Sequence, residues 1–145
     1  EMAITANAIY DLSALSQSTR NSGEKIQYTM KLYVKDDNGE YKQTNDISKY
    51  LSSFTLENAT LSSGLNGKEC VFTTDYNGEE QNTAVTKFTV KTGKAFEEQG
   101  LTYANYRVEL TAVLLNDNNS VVNGTTSSDY VVYTNAKIET GFINS

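Results

Sequence analysis

Few residues in this sequence can do covalent chemistry, and their spacing limits them further. Two pairs of adjacent carboxylates, Glu79–Glu80 and Glu97–Glu98, come nearest to the two acids of a glycosidase. Neighbours along a strand point to opposite faces, and a pair in a turn stands in water, so neither pair provides two acids flanking one substrate. Cys70 is the lone cysteine and cannot form an internal disulfide. In "KECVFTT" it occupies a strand position where a small apolar side chain is buried and its thiol unreactive. Histidine is absent, which removes Ser–His and Cys–His nucleophile pairs, histidine general bases and histidine metal sites. An enzyme is not expected.

Non-covalent binding has more to work with. Three oxygen-rich loops, "DDNGE" at Asp36–Glu40, "TDYNGEE" at Thr74–Glu80 and "NDNNS" at Asn116–Ser120, carry the donor type that calcium takes. None follows the D-x-[DN]-x-[DN]-G pattern with a distal glutamate, so each reads as a solvated hairpin turn, and no metal or cofactor is assigned. Ten tyrosines supply apolar rings with a polar tip. Tyr33, Tyr41 and Tyr133 are the candidates to face a ligand such as a glycan.

The elements that position these residues are strands. Asn-Gly pairs at Asn38, Asn66, Asn77 and Asn123 separate segments of period-two hydrophobicity, the short-range signature of β-hairpins. In "IQYTMKLYVKDD" the residues Ile26, Tyr28, Met30, Leu32 and Val34 share the inward face, with Lys31 and Tyr33 outward. "YRVELTAVLLND" puts Tyr106, Val108, Leu110, Ala112 and Leu114 inward and Arg107, Glu109 and Thr111 outward. Val113 and Leu115 imply that its outer face is covered near its end, as in a central strand. In "DYVVYTNAKI" the more apolar set is Tyr130, Val132, Thr134, Ala136 and Ile138, which sends Tyr133 and Asn135 outward. Further strands are expected in "AITANAIYDL", "FTLENATL", "ECVFTTDY" and "TAVTKFTV", and short helical turns in "NDISKYL", capped by Asp46, and "KAFEEQGL". The fold expected is all-β, an antiparallel immunoglobulin-like β-sandwich of seven to nine strands with one or two short helical turns.

A chain of 145 residues fits one domain over 1–145 and buries roughly 68–70% of its unfolded surface. Because it begins on Glu1 rather than an initiator methionine, it is expected to be a fragment of a larger modular protein. Twelve basic against eighteen acidic residues leave a net charge of −6, which repels nucleic acid and anionic headgroups. The longest apolar runs, "AVLL" and "YVVY", are far short of the ~20 residues of a membrane span. Neither nucleic acid nor membrane insertion is expected.

"YANYRVELTAVLLND" followed by "SSDYVVYTNAKI", and the preceding "FTVKTGKAFEEQGLTYANY", resemble the closing strands of Gram-positive bacterial cell-surface adhesins and pilin-like proteins built from tandem β-sandwich domains. The likeness runs from about Lys87 to Ile138. It implies an extracellular, cell-wall-associated module whose partners are neighbouring domains of the same protein and an unidentified host or glycan ligand. It also implies a possible lysine–asparagine isopeptide bond, with Lys31 as nucleophile, Asn135 as acceptor and Glu109 as proton shuttle. Alternation puts all three outward, whereas that chemistry needs them inward, so Asn135 reads as an exposed or rim residue. A thioester between Cys70 and Gln81 or Gln99 is a second possibility that no local motif supports. The expected function is adhesion, display or spacing; the alternative is a carbohydrate-binding module of a secreted glycosidase.

Overall fold

The computed structural model describes residues 2–90 and 105–134. Among them the period-two segments become nine strands in two antiparallel sheets, β1 (Met2–Asp11), β2 (Lys25–Lys35), β3 (Tyr41–Gln43), β4 (Leu51–Leu56), β5 (Thr60–Ser63), β6 (Glu69–Asp75), β7 (Gln81–Val90), β8 (Asn105–Leu115) and β9 (Ser127–Thr134). One sheet has the order β1-β7-β4, and the other β5-β6-β2-β8-β9 with β3 alongside β2. Packed face to face they form an antiparallel β-sandwich. Ala8, Tyr10 and Leu12 of the β1 segment, Leu51 of β4 and Ala84 of β7 meet Ile26, Tyr28, Met30, Leu32, Cys70 and Phe72 in one core. Tyr28 stacks on its neighbour Phe72 at 5.2 Å, and Phe54 of the facing sheet approaches Phe72 at 5.6 Å. Each such buried side chain is worth about 1.5–3 kcal/mol.

β2 and β8 bury the alternate residues that their patterns require, and Val113 and Leu115 are buried as well. β8 lies between β2 and β9, as a central strand. The 3-10 turn Ile47–Lys49 forms with Asp46 as its cap, whose side chain accepts from the Ser48 N–H at 3.0 Å. "KAFEEQGL" lies outside the described residues.

Three readings need correction. "FTLENATL" is two strands in different sheets, because the chain leaves β7 at Glu57 and crosses to β6. Asn58 makes that exit possible. Its Nδ2 donates to the Thr83 carbonyl at 2.6 Å and its Oδ1 accepts from the Val85 N–H at 2.9 Å, so the side-chain amide replaces a peptide in the ladder. A helix, α1 (Gln17–Asn21), stands where no periodicity announced one; none of its residues is buried, and Ser16 caps it by accepting from the Thr19 N–H at 3.1 Å. The third correction concerns β9. Its register pairs Tyr133 with Tyr106 and Tyr130 with Glu109. Paired positions share a face, so position 133 lies in the row of buried Tyr106 rather than in the outer row. "YVVY" is apolar at both parities, and Ala136 and Ile138, which favour the other one, lie outside the described residues.

Two turns of the six-stranded sheet have one design. Asp36 Oδ1 accepts from the N–H groups of Asn38 and Glu40, both at 2.9 Å; Asn116 Oδ1 accepts from Asn118 and Ser120 at 2.9 and 3.0 Å. The fourth residue of each, Gly39 or Asn119, has φ of 79° or 59°, the left-handed conformation that glycine and asparagine tolerate.

Between the sheets lies a buried amide. Asn82 of β7 accepts at Oδ1 from the Tyr28 hydroxyl of β2 at 2.7 Å and from the Thr74 hydroxyl of β6 at 2.9 Å, and its Nδ2 donates to the Asp75 carbonyl at 3.4 Å. Removing the side chain strips the Thr74 hydroxyl of this acceptor and leaves the Tyr28 hydroxyl only the Asn82 main-chain carbonyl, at 3.3 Å, in a dry interior where an unmet polar group costs about 1–3 kcal/mol. Asn82→Ala should lower the urea-unfolding free energy by about 2–4 kcal/mol at unchanged slope; a loss below about 0.5 kcal/mol, the range of surface substitutions, would show that the amide does not join the sheets.

Candidate functional site

The outer face of the six-stranded sheet carries side chains in rows set by the register. Tyr33 of β2 lies opposite Arg107 of β8 on one side and Gln43 of β3 on the other. The Asp36–Glu40 turn folds β3 back so that Tyr41 stands opposite Lys35, one step along the same face. The Arg107 guanidinium then lies 4.8 Å from the Tyr33 ring centre and 5.2 Å from that of Tyr41. Each such cation–π contact is worth about 0.5–1 kcal/mol at a wet site. All three side chains are half-buried. The result is a pre-ordered patch of two rings with a cation between them.

The next row holds Glu69, Lys31 and Glu109, directly opposite one another on β6, β2 and β8. Lys31 Nζ is 3.8 Å from Glu69 Oε1, and its side chain is 31% exposed. Lys31 and Glu109 therefore share the outer face, and Asn135 lies outside the described residues. Of the three tyrosines singled out in the sequence, Tyr33 and Tyr41 meet around Arg107, and Tyr133 falls in the register row of Tyr106. Arg107 was legible only as an outward residue. Its place between the rings depends on the pairing of β2 with β8, more than seventy residues apart in the chain.

The turn that delivers Tyr41 also accounts for one oxygen-rich loop. Asp36 spends Oδ1 on its own backbone, and its Oδ2 is 3.2 Å from Lys42 Nζ. Hydrogen bonding from the Glu40 N–H, aided by Lys42, holds the Asp36 carboxyl below its usual range. In Thr74–Glu80, Glu79 Oε2 accepts from the Asn77 N–H at 3.2 Å, whereas Glu80 reaches towards Arg20 at 4.0 Å. The two acids thus point to different partners; Glu97 and Glu98 lie outside the described residues. No group of three or more acidic, cysteine or histidine residues is placed to hold a metal ion among the described residues.

Cys70 is fully buried beside Met30. Burial pushes its thiol up to about 12. Gln81 is exposed at the start of β7, next to Asn82, whose amide contacts Thr74 and Asp75. Those two residues are four and five positions along β6 from Cys70, about 14–17 Å at ~3.4 Å per residue, so Gln81 is out of reach of a thioester. Gln99 lies outside the described residues.

Grooves flank the sheets. One of about 410 Å³ runs beside β3 between Lys35, Lys42, Lys49 and Tyr50. Another of about 570 Å³ lies between α1 and the β6–β7 loop, lined by Asn21, Glu24, Asp75 and Tyr76. No helix among the described residues is long and apolar enough to cross a membrane.

No protein family matches the chain, and no curated protein matches it. Among solved structures, a collagen-binding domain from a Staphylococcus aureus adhesin shares 9% identity with it at a TM-score of 0.33, over 88% of this chain and 85% of that one. At that distance no residue and no ligand is carried across.

Two outcomes test the local chemistry. With its thiol held neutral far above physiological pH, Cys70 should resist iodoacetamide at about pH 8 until denaturant is added; rapid labelling of the native chain would contradict its burial. The lowered Asp36 value means that its contribution to stability is present above the unfolded carboxylate pKa and lost as pH falls through the folded one. Asp36→Asn, which keeps the turn's acceptor without its charge, should have a slightly lower Tm than the parent at neutral pH, lose Tm less steeply between about pH 5 and pH 2, and converge with the parent at the acid end; identical slopes would show that the turn does not sense charge.

Proposed function

We propose that the chain is a non-enzymatic, extracellular β-sandwich module of a bacterial cell-surface protein, contributing adhesion through the outer face of its six-stranded sheet. The observation that carries this reading is the Arg107 guanidinium held between Tyr33 and Tyr41 on a face open to water. Tyrosine and arginine are the residue types that dominate binding hot spots. Ordering them before a ligand arrives cuts the entropy lost on association. The absence of histidine and the neutral, buried Cys70 favour binding over reaction. The likeness of Lys87–Ile138 to surface-protein strands supports the extracellular setting, with neighbouring domains as further partners. Lys31 and Glu109 belong in this reading to the wet face, as does an Asn135 that forms no amide with Lys31.

The tyrosine pair also favours a second reading, a carbohydrate-binding module of a secreted glycosidase, because exposed rings offer stacking surfaces to a sugar. One experiment separates the two. The domain is applied to a glycan array and to a panel of immobilised extracellular-matrix proteins, alongside Tyr33→Ala, Arg107→Ala and the control Lys87→Ala, an exposed position on the other sheet. A protein hit lost by about thirtyfold in the first two variants, the ~2 kcal/mol of a hot spot, supports the adhesive module. A glycan hit with the same losses supports the second reading, and binding that survives both substitutions removes the face from the site.

A further inference from the structure

The sequence contains four Asn-Gly pairs, and the structure makes them chemically unequal. Asparagine followed by glycine can cyclise, because the glycine nitrogen meets no side chain on its way to the asparagine Cγ. The reaction needs that nitrogen free of other hydrogen bonds and the local backbone free to move.

At Asn38 the glycine nitrogen is occupied, as the Gly39 N–H donates to the Asp36 carbonyl at 3.1 Å inside the β2–β3 turn. At Asn66 the Gly67 N–H donates to the Leu65 carbonyl at 2.9 Å. Asn77–Gly78 is clamped from outside. The Gly78 carbonyl accepts from Arg20 Nε at 3.2 Å, the Asn77 N–H donates to Glu79, and Asn21 Oδ1 would lie only 2.9 Å from a Cβ built on Gly78. Asn123–Gly124 has none of these restraints. Both residues are exposed, neither makes a hydrogen bond among the described residues, and the space beside Gly124 is open. Its flanks are nevertheless anchored. Val122 donates to the Leu114 carbonyl at 2.8 Å, and buried Thr125 donates its hydroxyl to the Val122 carbonyl at 2.7 Å.

We propose that Asn123 is a site of spontaneous deamidation and the first of the four pairs to convert. The Gly124 nitrogen attacks Asn123 Cγ, forming a new C–N bond. The Cγ–NH2 bond breaks, and ammonia leaves carrying the glycine proton. Water then opens the five-membered imide at either carbonyl. Cleavage at Cγ leaves aspartate, and cleavage at the backbone carbonyl leaves isoaspartate, in which the main chain runs through Cγ and is longer by one methylene. Either product adds a negative charge. The longer chain lies two residues from Thr125, whose carbonyl accepts the Tyr10 hydroxyl and whose Oγ1 accepts from the Leu114 N–H at 3.1 Å. Modification therefore falls beside the contact that ties the β8–β9 connection to β1. It lies at the opposite end of β8 from Arg107, so the result is independent of the binding face.

The full chain is held at about pH 8.5 and about 37 °C, sampled over days, and mapped by peptide mass spectrometry with isoaspartate-specific methylation. The expected result is a gain of about 1 Da on the peptide holding Asn123, at least tenfold faster than on those holding Asn38 and Asn66 and faster than on that holding Asn77. In denaturant the four rates should converge, because all four share the same dipeptide. Asn123→Gln, a substitution at an exposed position, should abolish the fast phase. Conversion of Asn38, Asn66 or Asn77 first, or a native order unchanged in denaturant, would overturn the proposal, as would a fast phase that persists in Asn123→Gln.

Discussion

A buried amide fixes the two sheets in one relative position. Asn82 comes from the three-stranded sheet, and the hydroxyls it accepts from, Tyr28 and Thr74, stand on adjacent strands of the other. Apolar packing between sheets is tolerant of sliding, since one aliphatic side chain fills a gap much as another does. A hydrogen bond in a dry interior is not, because it is directional and costly to leave unmade. Desolvation raises the pKa of the Tyr28 phenol, which keeps it a donor across the accessible pH range. A second tether, from Tyr10, which the register sets directly opposite Asn82, to the Thr125 carbonyl reinforces the same end of the interface.

With the sandwich pinned from inside, the outer face of the six-stranded sheet is held in fixed geometry. β2 and β8 pair over ten residues without a shift of register, so Tyr33 and Arg107 are set side by side by backbone hydrogen bonds alone. Tyr41 is added by a turn built from its own Asp36 carboxylate. Tyr33, Arg107 and Tyr41 are thus ordered by two devices, a long-range strand pairing and a local turn, and neither requires a cavity. Under the binding role proposed for it, such a patch suits an extended partner better than a small molecule, which needs concavity to be enclosed.

The extra order has a local cost where the chain must turn without proline. Asparagine and glycine make those turns, and the same dipeptide serves as a hydrogen-bonded hairpin at Asn38 and as an exposed turn anchored only at its flanks at Asn123. Chemical durability therefore differs among identical dipeptides according to what the surrounding backbone holds.

The β-rich class, the alternation of β2 and β8, the buried Cys70 and the cap at Asp46 were all legible in the sequence, because each follows from interactions within a few residues: side-chain parity, turn chemistry, capping. The parity of β9 was not, since "YVVY" is apolar on both faces and only pairing with β8 distinguishes them. The break in "FTLENATL" was hidden as well, because Asn58 reads as a polar strand residue until its amide is seen completing the edge of β7. Tyr33 and Tyr41 could be named as outward rings from local pattern, whereas the arginine between them could not. Sequence alone determined which residues face the core and which face water along each strand with a clear period. Tertiary structure decided which outward residues are neighbours, because adjacency across a sheet is set by hydrogen-bond register between segments far apart in the chain, and no local property of either segment encodes it.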